Sequence, residues 1–263
     1  MTALEIRQLT TMSELHEMQK VEAAVWQMDP IPVHQTFTAM HHGGIILGAF
    51  EEDQMVGFLY SFAGFDGKAS YLCSHMMGML PGYRMNGLGE ALKFKQAEIA
   101  RKLGYDMITW TYDPLESRNA YVNLHKLGAV GAIYHPNHYG EMADELNHGL
   151  PTDRFQIKWE LGEKKSVQPA TWDIELVLLD GGSHGEPIIK KHLETADIAD
   201  SSTYFVAIPA DFQTMKQADF TLAKSWRQET GKVFQKLFDH GFQARDLLRT
   251  KEEAYSYYVF IKE

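Results

Sequence analysis

Apolar and polar residues alternate over Leu4 to Leu9, the period of a short strand. From Ser13 the period lengthens. Leu15, Met18, Val21 and Val25 fall on one helical face, and Glu14 and Glu17 sit near its start, where acids suit the helix dipole. Asp29-Pro30-Ile31-Pro32 breaks that helix, and a second, shorter one is predicted over His34 to His42, ended by Gly43-Gly44. Apolar runs Ile45 to Phe50 and Met55 to Gly64, separated by Glu51-Glu52-Asp53-Gln54, predict a hairpin. Ser70 to Leu80 is a third extended run, closed by Pro81-Gly82.

Helical spacing returns at Gly87, where Leu88, Ala91, Leu92, Ile99 and Leu103 are predicted to share a face that Gly104 terminates. Asp106 to Tyr112 is a strand ended by Asp113-Pro114, and Ser117 to Leu127 is a helix stopped by Gly128. Val130 to Tyr134 and Phe155 to Leu161 complete a mixed α/β arrangement, helices flanking one central sheet. The polar stretch 162–169 is the predicted linker between a domain over 1–161 and a smaller C-terminal α+β domain over 170–263. That second part shows strands at Asp173 to Leu179, Glu186 to Ile189 and Tyr204 to Ile208. A long helix over Asp219 to His240 follows, with Ala223, Trp226, Val233, Phe234 and Leu237 on one face, and Tyr255 to Ile261 closes the chain. Its order of strand, strand, strand, helix, strand echoes the first part, as in a degenerate copy.

Composition narrows the function. With 44% hydrophobic and 23% charged residues, the 263-residue chain is too apolar for disorder. No run approaches the roughly 20 apolar residues of a membrane span, and the start lacks a basic-then-apolar leader, so a cytoplasmic protein without membrane partners is expected. Twenty-five Lys and Arg against 35 Asp and Glu give a net charge of -10, which disfavours nucleic-acid binding. The single cysteine, Cys73, excludes an internal disulfide. No metal site is expected, because His41-His42, His135 and His138 lack a His-Glu-x-x-His pattern or a carboxylate cluster.

The segment Gly78-Met79-Leu80-Pro81-Gly82-Tyr83-Arg84-Met85-Asn86-Gly87-Leu88-Gly89 runs from a strand through a turn into a helix. Backbone N–H groups are unpaired at such a helix start, the dipole there is positive, and glycine lets an anion approach the backbone. No Gly-Lys-Ser/Thr follows, so it is not a Walker loop, and it lacks the three-glycine dinucleotide pattern. The segment resembles motif A of the GNAT acyltransferase superfamily, Arg/Gln-x-x-Gly-x-Gly/Ala after a strand. A second family block is matched by Asn119 through Leu127-Gly128, and the resemblance covers about residues 3 to 161. Tyr139-Gly140, then Leu150-Pro151-Thr152-Asp153-Arg154-Phe155 and Trp159, resemble a subgroup of long bacterial members with an extra C-terminal domain, associated with N-acylation of amino acids, including transfer of succinyl groups.

That resemblance implies an acyl-CoA-dependent N-acyltransferase. Backbone N–H groups of Arg84, Met85, Asn86, Gly87, Leu88 and Gly89 would bind the coenzyme A pyrophosphate, the strand at Met77 and Met79 would pair with the pantetheine, and Asn119 would contact it. Competing assignments are a solvated arginine at 84 and a helix cap at Asn119. The implied reaction is direct attack of an amine on the thioester. His75 is the candidate base, expected on one strand face with Met77 and Met79; a packed histidine is the alternative. Where many members carry an acidic tyrosine this chain has Leu124, so Tyr139, Tyr121 or solvent is left to protonate the thiolate. Arg154 is the candidate for a substrate carboxylate, against a surface ion pair with Asp153. The donor, acetyl-CoA or succinyl-CoA, stays open, as does a homodimer. The acceptor is expected to be a small-molecule amine, an amino acid, with protein acetylation as a rival. A non-catalytic acyl-CoA-binding module is the alternative class.

Overall fold

The computed structural model describes residues 4–84, 87–142, 147–162, 171–190, 201–249 and 254–262. Packing divides the chain into two compact units, residues 1–110 with 159–164, and residues 111–158 with 165–263. Of the expected linker over 162–169, residues 163–169 lie outside the described residues. The division between the two units falls inside the fifth strand and groups 111–158 with residues 165–263.

The first unit contains β1 (Leu4–Gln8), α1 (Met12–Trp26), α2 (Val33–His41), β2 (Ile46–Glu51), β3 (Gln54–Phe65), β4 (Ser70–Met79), α3 (Leu88–Lys102) and the start of β5 (Met107–Tyr112). β1 to β4 form an antiparallel meander, and β5 joins β4 in parallel. Thr11 and Glu14 close a capping box at the start of α1. Burial opposes the charge on Glu14, yet hydrogen bonds from Thr10, Arg7 and Thr11 hold its carboxyl down to about 2. Leu15, Met18 and Val21 of α1 pack on Phe58 and Tyr60 of β3, the expected helical face.

Two details of this unit differ from the pattern in the sequence. Tyr60 pairs with Met76 and Ser61 with Ser74, so His75 is the extra residue of a bulge in β4. The bulge shifts the alternation by one. Ser74 reaches Lys93 on α3, and Met77 and Met79 also face α3, at Gly89. His75 instead stands 6.0 Å from Tyr60 and 5.7 Å from Phe62, ring to ring, so the expected shared face with Met77 and Met79 is not present. The buried face of α3 is also rotated. It comprises Leu88, Leu92, Lys93, Gln96, Ala97 and Ala100, while Ala91 and Leu103 are exposed.

The second unit contains α4 (Ser117–Ala120), which continues as a π-helical turn over Tyr121–Lys126, then β6 (Val130–His135) and most of β7 (Arg154–Glu160). After a 3-10 turn at Ile174–Leu176 come β8 (Val177–Gly181), β9 (Pro187–Ile189), β10 (Thr203–Pro209), α5 (Phe212–Ala218), α6 (Phe220–Asp239), β11 (Gln243–Leu248) and β12 (Tyr255–Ile261). Its strands lie in the order β7-β6-β11-β12-β10-β8-β9. The strand expected from Asp173 begins only at Val177, because Asp173 caps the 3-10 turn. α5 and β11 have no counterpart in the sequence pattern. Phe212 is the one buried residue of α5, and β11 carries Gln243, Arg245 and Asp246 around a bulge that breaks its alternation. Phe155 anchors the core, ringed by Tyr112, Tyr134, Phe234, Phe238, Tyr258 and Phe260. Among the described residues no helix is long and apolar enough to cross a membrane.

Candidate active site

In the first unit, β4 leads through a 3-10 turn at Pro81–Tyr83 to α3, whose N-cap Gly87 has φ 74° and no side-chain cap. Leaving out its chain neighbours, a Cβ at Gly87 would meet no described atom within 4 Å, and the first N–H groups of a helix have no intrahelical partner. At Gly89 a Cβ would lie 3.3 and 3.4 Å from the methyls of Met77 and Met79, which places both methionines beside the first turn of α3. Leu88 is buried against Gly57 and has only backbone to offer a ligand. Arg84 is exposed and its Nε donates to the Met79 carbonyl at 3.1 Å, bracing the turn. Met85 and Asn86 lie outside the described residues. On the coenzyme A reading that the sequence resemblance implies, Gly87→Val should weaken acetyl-CoA binding about 10-fold by titration calorimetry, since a β-branched residue at positive φ adds strain of about 1–3 kcal/mol and crowds an anion's approach.

β4 and β5 pair only at Leu72 with Ile108 and Cys73 with Thr109. Among the described residues no ladder pair between them follows, so the N–H groups of β4 that point toward β5 have no β5 ladder partner beyond Cys73. His75 sits one residue past the bulge-side Ser74 with part of its side chain exposed, and desolvation by the protein around its ring lowers its imidazole below the usual histidine range, favouring the neutral form. Burial pushes the Cys73 thiol up, the wrong direction for a nucleophilic thiolate.

Two charged side chains of this unit went unnoticed in the sequence. Glu22 on α1 is 4% exposed, its Oε1 accepts the Ile31 N–H at 3.0 Å, and burial raises its carboxyl. Lys93 on α3 is also 4% exposed, with Nζ 2.7 Å from Ser74 Oγ and 3.7 Å from the Trp110 ring centroid. Burial lowers its ammonium to about 7. Its signal was positional: it lies one residue from Leu92 and four before Ala97, inside the stripe that packs.

In the second unit, Tyr139 is half exposed and its hydroxyl lies 2.9 Å from Thr111 Oγ1. Asn119 is exposed and third in α4, whose N-cap is Glu116, so it is not the helix cap. Tyr121 stacks on His125, and Leu124 is buried. Arg154 is buried rather than paired at the surface with the Asp153 carboxylate. Its Nη2 donates to Asn147 Oδ1 at 2.8 Å, its Nη1 to the Asp153 carbonyl at 2.9 Å, and it stands 3.7 Å from Asp113. The Asp153 carboxylate accepts instead from the Tyr134 hydroxyl and the Asn137 N–H. Arg227 of α6, 3% exposed, binds Asp113 at 2.5 Å. Part of the Arg154 guanidinium is therefore already committed within the protein. Among the described residues no three His, Cys, Asp or Glu side chains converge as metal ligands.

The model of the acetyltransferase (GNAT) family matches residues 9–129. This segment is a GNAT acetyltransferase domain. The match spans the glycine turn, the β4/β5 fork and α4. A ribosomal-protein-S18-alanine N-acetyltransferase from Escherichia coli is similar in fold, with a TM-score of 0.51 at 14% identity. That match covers 64% of this chain and 100% of the other. A GNAT superfamily phosphinothricin acetyltransferase from Sinorhizobium meliloti, in complex with acetyl-CoA, matches with a TM-score of 0.50 at 18% identity, over 65% of this chain and 94% of that one. At such identities the likeness shows the fold alone. No protein of curated function matches the sequence.

Proposed function

We propose that the protein is an acyl-CoA-dependent N-acyltransferase that moves an acetyl or succinyl group to the amino group of a small molecule, an amino acid by the subgroup resemblance. The observation that carries this is the open glycine N-cap of α3 set after a strand that parts from its neighbour. The helix start suits the pyrophosphate, and the unpaired edge of β4 suits the amides of pantetheine. A β4 N–H facing the fork serves the thioester oxygen as charge develops. Met77 and Met79 line the strand beside that start, Arg84 braces it or reaches a phosphate, and Asn119 contacts the pantetheine.

In this scheme the acceptor nitrogen forms a bond to the acyl carbon as the carbon–sulfur bond breaks. His75, neutral at pH 7, takes the proton from nitrogen, and Tyr139 gives one to the departing sulfur. Arg154 holds a carboxylate through the donor edge its internal bonds leave. The second reading, a binding module without turnover, is favoured by one observation: Leu124 is buried where many relatives present a tyrosine.

Release of free thiol from acetyl-CoA and succinyl-CoA, each against amino acids, polyamines and short peptides, tests the proposal. Amine-dependent release names the donor and the acceptor class. Release with peptides alone moves the acceptor to protein termini or lysines. Stabilisation by CoA without release from any acceptor supports the binding module, and no CoA binding at all overturns both.

A further inference from the structure

The last ladder pair between β4 and β5 is Cys73 with Thr109, so Ser74 and Trp110 are the first residues after the strands part. One side chain touches both. The Lys93 ammonium lies 2.7 Å from Ser74 Oγ and 3.7 Å from the Trp110 ring centroid, and it is almost wholly buried. Gln96, one turn along α3, also donates to Ser74 Oγ, at 3.1 Å, while its buried Oε1 has no partner. Trp110 is held from behind by an edge contact with Trp159, which in turn meets Phe94. A buried lysine beside a hydroxyl and an aromatic face, with no carboxylate of the described residues at ion-pair distance, is a costly choice for packing alone.

We propose that Lys93 is a positioning residue that clamps the β4/β5 fork, its ammonium bridging Ser74 to the face of Trp110 and so setting the width of the slot for the acyl-thioester. The clamp rests on the acyl-CoA slot proposed above. Attraction to an aromatic face belongs to the cation, so the neutral amine keeps only the contact to Ser74. Burial brings the ammonium to about 7, and the thiol of Cys73 on β4 is the titratable group that acts back on it. Ser74, Gln96 and Trp110, the other groups facing it from β4, α3 and β5, carry no charge. The clamp is therefore closed below neutral pH and released above it.

The test measures acetyl-CoA affinity from pH 5.5 to 9 for the wild type, Lys93→Met and Ser74→Ala. Hydrogen–deuterium exchange over residues 70–80 and 105–113 is followed in the free proteins. The coenzyme's phosphates titrate identically in all three, so the difference between proteins isolates the lysine. The wild type should bind about tenfold more tightly at pH 6 than at pH 8.5 relative to Lys93→Met, and Ser74→Ala should lose part of that difference. Protection factors at the fork, corrected for the base-catalysed intrinsic exchange rate, should fall with pH in the wild type and be low at every pH in Lys93→Met. Equal affinities and equal pH profiles in wild type and Lys93→Met overturn the clamp while leaving the slot intact. Should the wild type bind no acetyl-CoA, the slot fails instead, and the exchange data alone then uphold or overturn the clamp.

Discussion

Replacing Asp113 by asparagine will destabilise the protein by about 3–5 kcal/mol in urea unfolding at pH 7, the usual cost of leaving a buried charge without its partner. Asp113 is the carboxylate that Arg227 binds at 2.5 Å and that Arg154 approaches at 3.7 Å, with Arg227 only 3% exposed. Arg227 Nε and Nη1 are buried without hydrogen-bond partners, so its charge leans on Asp113 all the more. Of the other carboxylates nearby, Asp153 is already engaged by Tyr134 and Asn137, and Glu116 accepts from Gln213. Asparagine keeps an oxygen for the Leu115 N–H that Asp113 Oδ1 accepts, so the loss reads the charge and not the turn. Adding Arg227→Met should return much of the stability, because a buried pair replaced by apolar groups is often neutral. A loss below about 1 kcal/mol in Asp113→Asn would show that water already reaches the cluster.

His75→Ala should lower kcat/KM by about 10²–10⁴-fold, the range for removal of a general base, with acetyl-CoA affinity unchanged. Because burial depresses the imidazole, the wild-type acid limb should lie below pH 6.5. The direction follows from the proton: the neutral ring is the active form, so rate holds as pH falls toward that limb and drops through it. His75→Phe separates chemistry from packing, since a phenyl ring can keep the edge contacts to Tyr60 and Phe62 but accepts no proton. Loss of rate in both variants with an intact melting temperature in His75→Phe supports the base. Full activity in His75→Phe removes His75 from the mechanism.

The fold was legible where local pattern and packing agree. The meander β1 to β4, α1 and the glycine turn into α3 follow from alternation, helical spacing and Gly87. What escaped was decided by partners distant in sequence. The α3 face was drawn toward Ala91 and Leu103 because Lys93 and Gln96 look like solvent residues until Ser74 and Trp110 are known to receive them. Arg227 hid in the same way, on the stripe of Ala223, Thr230 and Phe234, until Asp113 was seen opposite. A bulge is a one-residue insertion with no marker of its own, so alternation through His75 misplaced its side chain. In α4 the right residues were helical, but the wide turn at Tyr121–Lys126 depends on bonds such as Leu127 N–H to Val122 carbonyl, which periodicity does not reveal.

The order of strands in the second unit governs how this protein emerges from the ribosome. β12, residues 255–261, lies between β11 and β10, and β11 in turn lies beside β6. Tyr112 meets Tyr258 and Ser117 meets Ser256 across well over a hundred intervening residues. At a synthesis rate of about 5–20 residues per second, β6 waits for several seconds before β11, its partner on one side, exists. Throughout that interval β6 offers an unpaired edge and Asp113 lacks Arg227, so a strand edge and a carboxylate stay open until α6, β11 and β12 have been made.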